Sequence, residues 1–454
     1  MGRAALAAVA LAFVLGGAAG ATEYQIKSFR WEEDYSSLAD ASRPLEGLEQ
    51  LKFIPLNGDN TWWLTLGGEI RLRSDNIQNG SFSLRPGGDY ATTTTRLLFL
   101  TDWHFGRDVR AFIQVGYHDE AGRKPTTRSF DEGLFDLQQG FVDWTIVDAA
   151  RLRAGRQELP LGNQRLSDAR EGGNIRRSFD GARLDLKLDT TDVVVFWTQP
   201  VLNRQGDFDD RPTPGDAFYG VYATIPFPAL ASGVDLYVMT RDKAASTFAS
   251  GTAEESRATI GARIDGSKAA WDWDSQILAQ CGSFGSEDIR AYAATIDAGW
   301  TARSWPWAPR FSLRADIGSG DARKGDGELG TFDAPFPNFS YLSPTNAYWP
   351  GNAWSLFPLV TAVPSHSTTF YLGAQYMARL STGDAFYYQP QVPIALPGTE
   401  AHGVMTQVYS RVKWQPDQHW SMSATMIYQA AGTATNEAGG EDVFIGSASA
   451  SWKF

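Results

Sequence analysis

The last stretch of the sequence confines the chain to few folds. From Phe444 to Phe454 it reads Phe-Ile-Gly-Ser-Ala-Ser-Ala-Ser-Trp-Lys-Phe. In an extended strand Phe444, Gly446, Ala448, Ala450, Trp452 and Phe454 share one face, and Ser447, Ser449, Ser451 and Lys453 share the other. One face suits an apolar medium and the other suits water. A soluble sheet would bury the first against a core. A sheet lying between lipid and water must instead close on itself, because every backbone N–H and C=O has to be paired within the sheet.

The opposite end directs the chain out of the cytoplasm. Met1 to Ala21 carries Arg3, the apolar run Ala4 to Leu15 and the small residues Ala19-Gly20-Ala21, the pattern of a secretory signal cleaved before Thr22. The run is shorter than the roughly 20 apolar residues of a spanning helix, and no other stretch approaches that length. Membrane entry would therefore use strands, and the terminal aromatic is similar to the assembly signal of bacterial outer-membrane barrels. The expected organisation is a signal peptide over residues 1–21, an N-terminal periplasmic or plug segment over 22–61 and a transmembrane barrel over 62–454. The alternative is a soluble periplasmic protein, which repeated alternation argues against.

That repetition is read strand by strand. Trp62, Leu64, Leu66, Ile70 and Leu72 oppose Glu69, Arg71 and Arg73; Ala182, Leu184, Leu186 and Leu188 oppose Arg183, Asp185 and Lys187. Ala258, Ile260, Ala262 and Ile264 oppose Arg257, Arg263 and Asp265, and Phe311, Leu313, Ala315 and Ile317 oppose Arg314 and Asp316. Arg110 and Gln114 oppose Val109, Ala111, Ile113 and Val115, while Gln407, Arg411 and Lys413 oppose Val404, Val408 and Val412. Polar faces this charged predict a wet lumen. Two stretches alternate less cleanly: Arg96 to Trp103, where Leu98 and Leu100 share a face with Arg96, and Leu134 to Val147.

Such segments number about eighteen, centred near residues 67, 98, 113, 140, 153, 182, 195, 221, 237, 261, 276, 294, 314, 357, 374, 409, 425 and 449. The expected fold is all-β, a single antiparallel transmembrane barrel of even strand number. The polar breaks His104 to Asp108 and Gln415 to His419 read as periplasmic turns. The long breaks Gln199 to Asp216, Gly318 to Gly351 and Gln389 to Gly403 read as extracellular loops or loops folded into the lumen.

Composition excludes other classes. A net charge of -12 argues against nucleic acid as a partner. The single Cys281 rules out an internal disulfide framework. His104, His118, His366, His402 and His419 lack metal-ligand spacing, and no phosphate-loop motif occurs, so no enzyme activity, cofactor or metal is expected. Asp207, Asp209 and Asp210 read as a solvated acidic loop rather than a calcium loop.

Three stretches carry a family resemblance: Arg153-Ala154-Gly155-Arg156-Gln157-Glu158, Leu161-Gly162-Asn163-Gln164-Arg165-Leu166, and Asn174-Ile175-Arg176-Arg177-Ser178-Phe179-Asp180-Gly181. Together with Arg30 to Ser36, Leu51 to Leu56, Leu66 to Arg73, Ser319-Gly320-Asp321, Thr331-Phe332-Asp333, Phe336-Pro337 and Ser381 to Ala385, they resemble the alginate export family of outer-membrane barrels. The resemblance implies an eighteen-stranded channel in a Gram-negative outer membrane, in contact with lipid, passing an anionic polysaccharide through an arginine-lined constriction, with periplasmic secretion partners. The alternative substrate class is small organic acids or aromatic compounds taken up through a substrate-specific porin.

A guanidinium matches a carboxylate bidentately and stays charged at any working pH, which suits an anion path. The candidates are Arg71, Arg73, Arg96, Arg110, Arg151, Arg153, Arg183, Arg263, Arg314, Arg379 and Arg411, with Arg156 and Arg177 from the motif region. Glu69, Asp185 and Asp316 are their acidic companions. Strict alternation puts Arg156 on the face of Leu152 and Ala154, so it needs a bulge or a place near the rim. The competing reading is that these arginines pair with carboxylates along the wall and hold the barrel in shape.

Overall fold

Eighteen antiparallel strands close into a barrel in the computed structural model, which describes residues 24–40, 44–85, 88–123, 128–230, 232–338, 350–387 and 392–454. The expected signal peptide lies outside these residues. The strands are β1 Trp62–Gln78, β2 Tyr90–Phe105, β3 Val109–Ala121, β4 Gly133–Val147, β5 Ala150–Gln157, β6 Phe179–Leu188, β7 Thr191–Leu202, β8 Asp216–Phe227 and β9 Ser232–Phe248. They continue as β10 Gly251–Lys268, β11 Trp271–Phe284, β12 Glu287–Thr301, β13 Arg310–Gly318, β14 Ala353–Ser365, β15 Thr368–Ala378, β16 Gly403–Trp414, β17 Trp420–Ala431 and β18 Val443–Lys453. Each expected strand centre falls inside one of them. Each strand pairs with its sequence neighbours, and β18 closes on β1 in a ladder from Glu69 opposite Lys453 to Gln78 opposite Phe444.

Alternation sorts the side chains as the sequence dictates. Leu72, Ile113, Val195, Ile260, Leu313 and Val408 point outward and are exposed, while Glu69, Arg71, Gln114 and Gln407 point inward and are buried. Outward aromatics gather at both ends of the barrel, with Trp62, Trp144, Trp271, Trp305 and Trp414 at one and Phe135, Tyr292, Tyr376 and Tyr428 at the other, as two interfacial girdles require. Among the described residues no helix is long and apolar enough to cross a membrane.

The two irregular stretches have a physical cause. Leu100, Phe112 and Phe141 face inward, yet they meet no water: they pack around Trp31 of the N-terminal segment. An apolar lumen patch is needed there, so the usual polar signature of an inward face is lost on β2 and β4. The ladder between β3 and β4 also shifts register between Gln114 and Val115, which lets the consecutive residues Gln138 and Gln139 both be buried.

Connections at one end are short. The break at His104 shrinks to Gly106–Asp108, since β2 runs on to Phe105, whereas Gln415–His419 separates β16 from β17 in full. Long connections collect at the opposite end. Residues 158–178, between β5 and β6, and 319–338, after β13, fold inward and join: Phe336 N donates to Leu166 O, and Asp168 N to Phe336 O, both at 2.9 Å.

Candidate functional site

The inward loops are glued to one side of the barrel. Leu159, Leu161 and Leu166 from the first loop and Phe332 and Phe336 from the second pack on Phe179, Phe196, Phe218 and Met239 of the wall formed by β6 to β9. A turn with Gly162 and Gln164 in the left-handed region directs the first loop back on itself. Filling that side leaves the opposite wall, β16 to β18 and β1, facing open space.

A cavity of about 510 Å³ runs along that wall. Tyr90, Arg123 and Arg128 line it at the long-loop end, and Gln415, Gln418 and His419 line it at the short-turn end. Its strand side is a run of hydroxyls: Ser421, Ser423 and Thr425 of β17 beside Ser447, Ser449 and Ser451 of β18. Around it stand the cations Lys27, Arg71, Arg73, Arg123, Arg128, Arg170, Arg177, Arg411, Lys413 and Lys453, against the carboxylates Asp75, Asp131 and Glu171. A low-dielectric wall with this imbalance concentrates anions.

The tip of the 158–178 loop reaches β1 and β2 across the lumen. Arg71 Nη1 donates to Glu171 O at 2.8 Å and Arg71 Nη2 to Gly173 O at 2.5 Å, while Arg73 Nη1 donates to Gly172 O at 2.7 Å. Arg96 is fully buried; its Nη2 donates to Glu69 Oε1 at 2.8 Å and to Glu171 Oε1 at 2.5 Å. Arg176 holds Glu158 through two hydrogen bonds and also contacts Glu171 Oε2. Burial lowers the pKa of Arg170 to about 10 and that of Arg177 to about 9, and both remain cations at neutral pH.

The sequence-derived arginines thus fall into groups. Arg71, Arg73, Arg177 and Arg411 line the cavity. Arg96 and Glu69 stand directly behind them, with Lys453 Nζ 3.9 Å from Glu69. Arg110 and Arg153 belong to the wall beneath the N-terminal segment: Arg110 grips Asp102 and donates to Trp31 O at 2.8 Å, and Arg153 grips Asp143 with its guanidinium 4.5 Å from the Trp31 ring. Arg151 and Arg183 share Asp185. Arg263 meets Asp235, Asp265 and Asp274, and Arg314 lies 3.7 Å from Asp316. Arg379 ties its loop by donating to Thr399 O and Ala401 O. Arg156 pairs with Asp180, its opposite number in the β5–β6 ladder; that ladder runs through Gly155 without a register shift, so Arg156 keeps to the face of Ala154 and sits near the long-loop rim. A Cβ at Gly155 would sit 2.3 Å from Gly140 O, so only glycine fits.

The family model described as Alginate export matches residues 62–443. The chain belongs to the alginate export family. No curated protein matches the sequence. The fold is similar to a BenF-like porin from Pseudomonas fluorescens Pf-5, with a TM-score of 0.60, 10% identity and coverage of 86% of this chain and 98% of that one. It is also similar to Pseudomonas aeruginosa OpdQ, with TM-score 0.57, 11% identity and coverage of 89% and 99%. Pseudomonas aeruginosa OccK2 (OpdF), solved in complex with glucuronate, gives TM-score 0.55, 11% identity and coverage of 86% and 98%. The chain is an outer-membrane channel of Gram-negative type, passing anionic or small solutes within a lipid environment.

Several cavity residues of this alginate export barrel escaped the sequence reading. Arg123 and Arg128 sit beyond β3 and before β4, where no strand face exists to read, and Arg170 and Glu171 fall between the two motif stretches of one loop. A run of Asp168, Arg170 and Glu171 inside a motif region was the available signal. The acidic loop is also more structured than a solvated one. Asp136 Oδ2 accepts from the backbone N–H groups of Asp209 and Asp210, each at 3.1 Å, and Asp207 Oδ1 accepts from Phe135 N at 3.0 Å. Those carboxylates pin the loop to β4.

Proposed function

We propose that the barrel conducts a polyuronate such as alginate along the cavity between the inward 158–178 loop and the hydroxyl-faced strands β16 to β18. The observation that carries this reading is the make-up of the cavity, with cations on both its loop side and its strand side and a continuous run of serines on β17 and β18. A polyuronate presents one carboxylate and several hydroxyls per sugar. Guanidinium and ammonium groups match the first, serine hydroxyls match the second, and contacts repeated along the wall suit a repeating polymer. The described part of residues 22–61 acts as a plug and seam for the short-turn end, and residues 1–21 as the export signal. The remaining wall arginines keep the barrel in shape by pairing with carboxylates, and the protein works as a conduit without catalysis, cofactor or metal.

Uptake of small organic acids is the second reading, favoured by the glucuronate complex of the similarly folded OccK2. Chain length separates the two. A polymer engages several cations at once, so half-blocking concentrations in a planar bilayer at fixed salt should fall from uronate monomer to trimer to longer chains. Equal block by all lengths favours the small-acid reading, and absence of block by any uronate removes the polyuronate reading and leaves the family assignment.

A further inference from the structure

Glu171 stands apart from the other acids at the loop tip. Its side chain is half exposed to the cavity, whereas Glu69 and Glu158 are buried and each held by an arginine of its own. One Glu171 oxygen contacts Arg96 and the other Arg176, with Arg71 Nη1 3.7 Å away. Counting Lys453, 3.9 Å from Glu69, the cluster holds four cations against three carboxylates, and removing Glu171 raises its excess positive charge from one to two. Donor capacity is also left over: Arg71 Nε and Arg96 Nη1 are buried and make no hydrogen bond among the described residues.

We propose that the Glu171 carboxylate is a built-in stand-in for a substrate carboxylate, occupying the Arg71, Arg96 and Arg176 site in the resting channel and yielding it to a passing uronate. The inference rests on the anion-path reading above and adds its regulation. Several features fit exchange rather than permanent closure. Glu171 lies on a loop connected to the wall mainly through backbone carbonyls, at Glu171 O, Gly172 O and Gly173 O, so its side chain can swing out while the loop stays docked. Arg96 keeps Glu69 and Arg176 keeps Glu158 whether or not Glu171 is present, so the arginines stay oriented throughout. A resident carboxylate also weakens net binding, which a conduit needs if its solute is to leave. Water and counter-ions complete the exchange, and no covalent step is involved.

The test is ion-current block by glucuronate in planar bilayers, with glucose as the neutral control, for wild type, Glu171→Gln and Glu171→Asp. Removing the internal competitor should lower the half-blocking glucuronate concentration roughly tenfold in Glu171→Gln, a change the size of one charge-assisted contact. Glu171→Asp, which keeps the charge but reaches one carbon less far and so holds fewer of the three arginines, should fall between. It serves as the readout where the Gln variant fails to assemble. Unchanged glucuronate block in both variants, or an equal gain for glucose, overturns the proposal and makes Glu171 a structural tie. A cation-selective wild-type channel overturns the anion path itself, and that measurement needs no variant.

Discussion

Arg30 Nη2 donates to Phe454 O at 2.7 Å, and so joins the N-terminal segment to the end of the closing strand. The same guanidinium donates through Nη1 to Gly68 O at 3.0 Å, at the point where Phe454 and Gly68 exchange the last hydrogen bonds of the β18–β1 ladder. Below that point β1 continues without β18. Lys52 Nζ donates to Leu66 O at 3.0 Å, Thr65 Oγ1 donates to Lys52 O at 2.6 Å, and Ile54–Pro55 pairs with Trp63 and Leu64. The N-terminal segment therefore takes the place beside β1 that β18 does not reach. Unpaired backbone groups at that depth are costly, and the segment satisfies them.

Replacing Arg30 should open this seam. Its Nε lies 2.6 Å from Glu33, whose side chain is buried, so Arg30→Ala strands a carboxylate and should cost about 3–5 kcal/mol. The expected result is a lower temperature for loss of the fast-migrating folded band in heat-modifiability gels. Arg30→Ala with Glu33→Ala should recover part of the loss, and an unchanged transition in the single variant would remove the seam argument.

Lys52 makes docking of the segment depend on pH. Burial, aided by repulsion from Arg30, lowers its pKa from 10.5 to about 7. The docked segment thus binds fewer protons than the free one between about pH 7 and 10.5. Docking should strengthen as pH rises through that window, by at most about 1.4 kcal/mol per pH unit, and level off below it. Protease protection of the N-terminal segment measures this. Lys52→Met should abolish the slope, and a slope of the opposite sign would show that another group dominates.

The barrel was legible in the sequence because period-two alternation is imposed by strand geometry and survives in most spanning segments. What alternation reports is which face a residue occupies. It does not report what lies opposite, and so Arg153 and Arg411 looked alike although one is buried beneath Trp31 and the other lines the cavity. Partition of the arginines is decided by two aperiodic segments, 24–61 and 158–178, whose inward folding depends on contacts far apart in sequence. Trp31 with Phe112 and Phe141, and Leu166 with Phe336, are such contacts. The muddled faces of β2 and β4 were the local traces of this: Leu100 and Phe141 face inward because a plug residue covers them.

Phe454 should be needed for assembly through its packing as well as its apolarity. Its ring lies 5.2 Å from that of Trp452, and a Cβ at Gly68 would come within 2.6 Å of its Cε1. Phe454→Ala should reduce outer-membrane yield sharply. Gly68→Ala should overpack the same spot and cost about 1–3 kcal/mol, read as a lower heat-modifiability transition. Normal yield of Phe454→Ala would separate closure of the seam from its aromatic contact.

Cavity and wall arginines should respond differently to removal. Arg73 is partly exposed and its ion pair with Asp75 is worth less than about 1 kcal/mol, so Arg73→Gln should leave folding intact. Lys413 lines the same cavity. In planar bilayers under a salt gradient, Arg73→Gln and then Arg73→Gln with Lys413→Gln should lower anion preference in steps, with more effect at low salt, where screening is weak. Arg153 is enclosed by Asp143, Trp31 and Phe141, and its removal leaves Asp143, among the described residues, with only Arg110 at 3.8 Å. Arg153→Ala should therefore destabilise the barrel by about 3–5 kcal/mol, and whatever protein assembles should keep the wild-type selectivity. If instead Arg153→Ala shifts selectivity as strongly as the Arg73 and Lys413 variants, the ions do not follow the cavity beside β16 to β18. The conducting path would then lie under Trp31, and the N-terminal segment would have to move aside to open it.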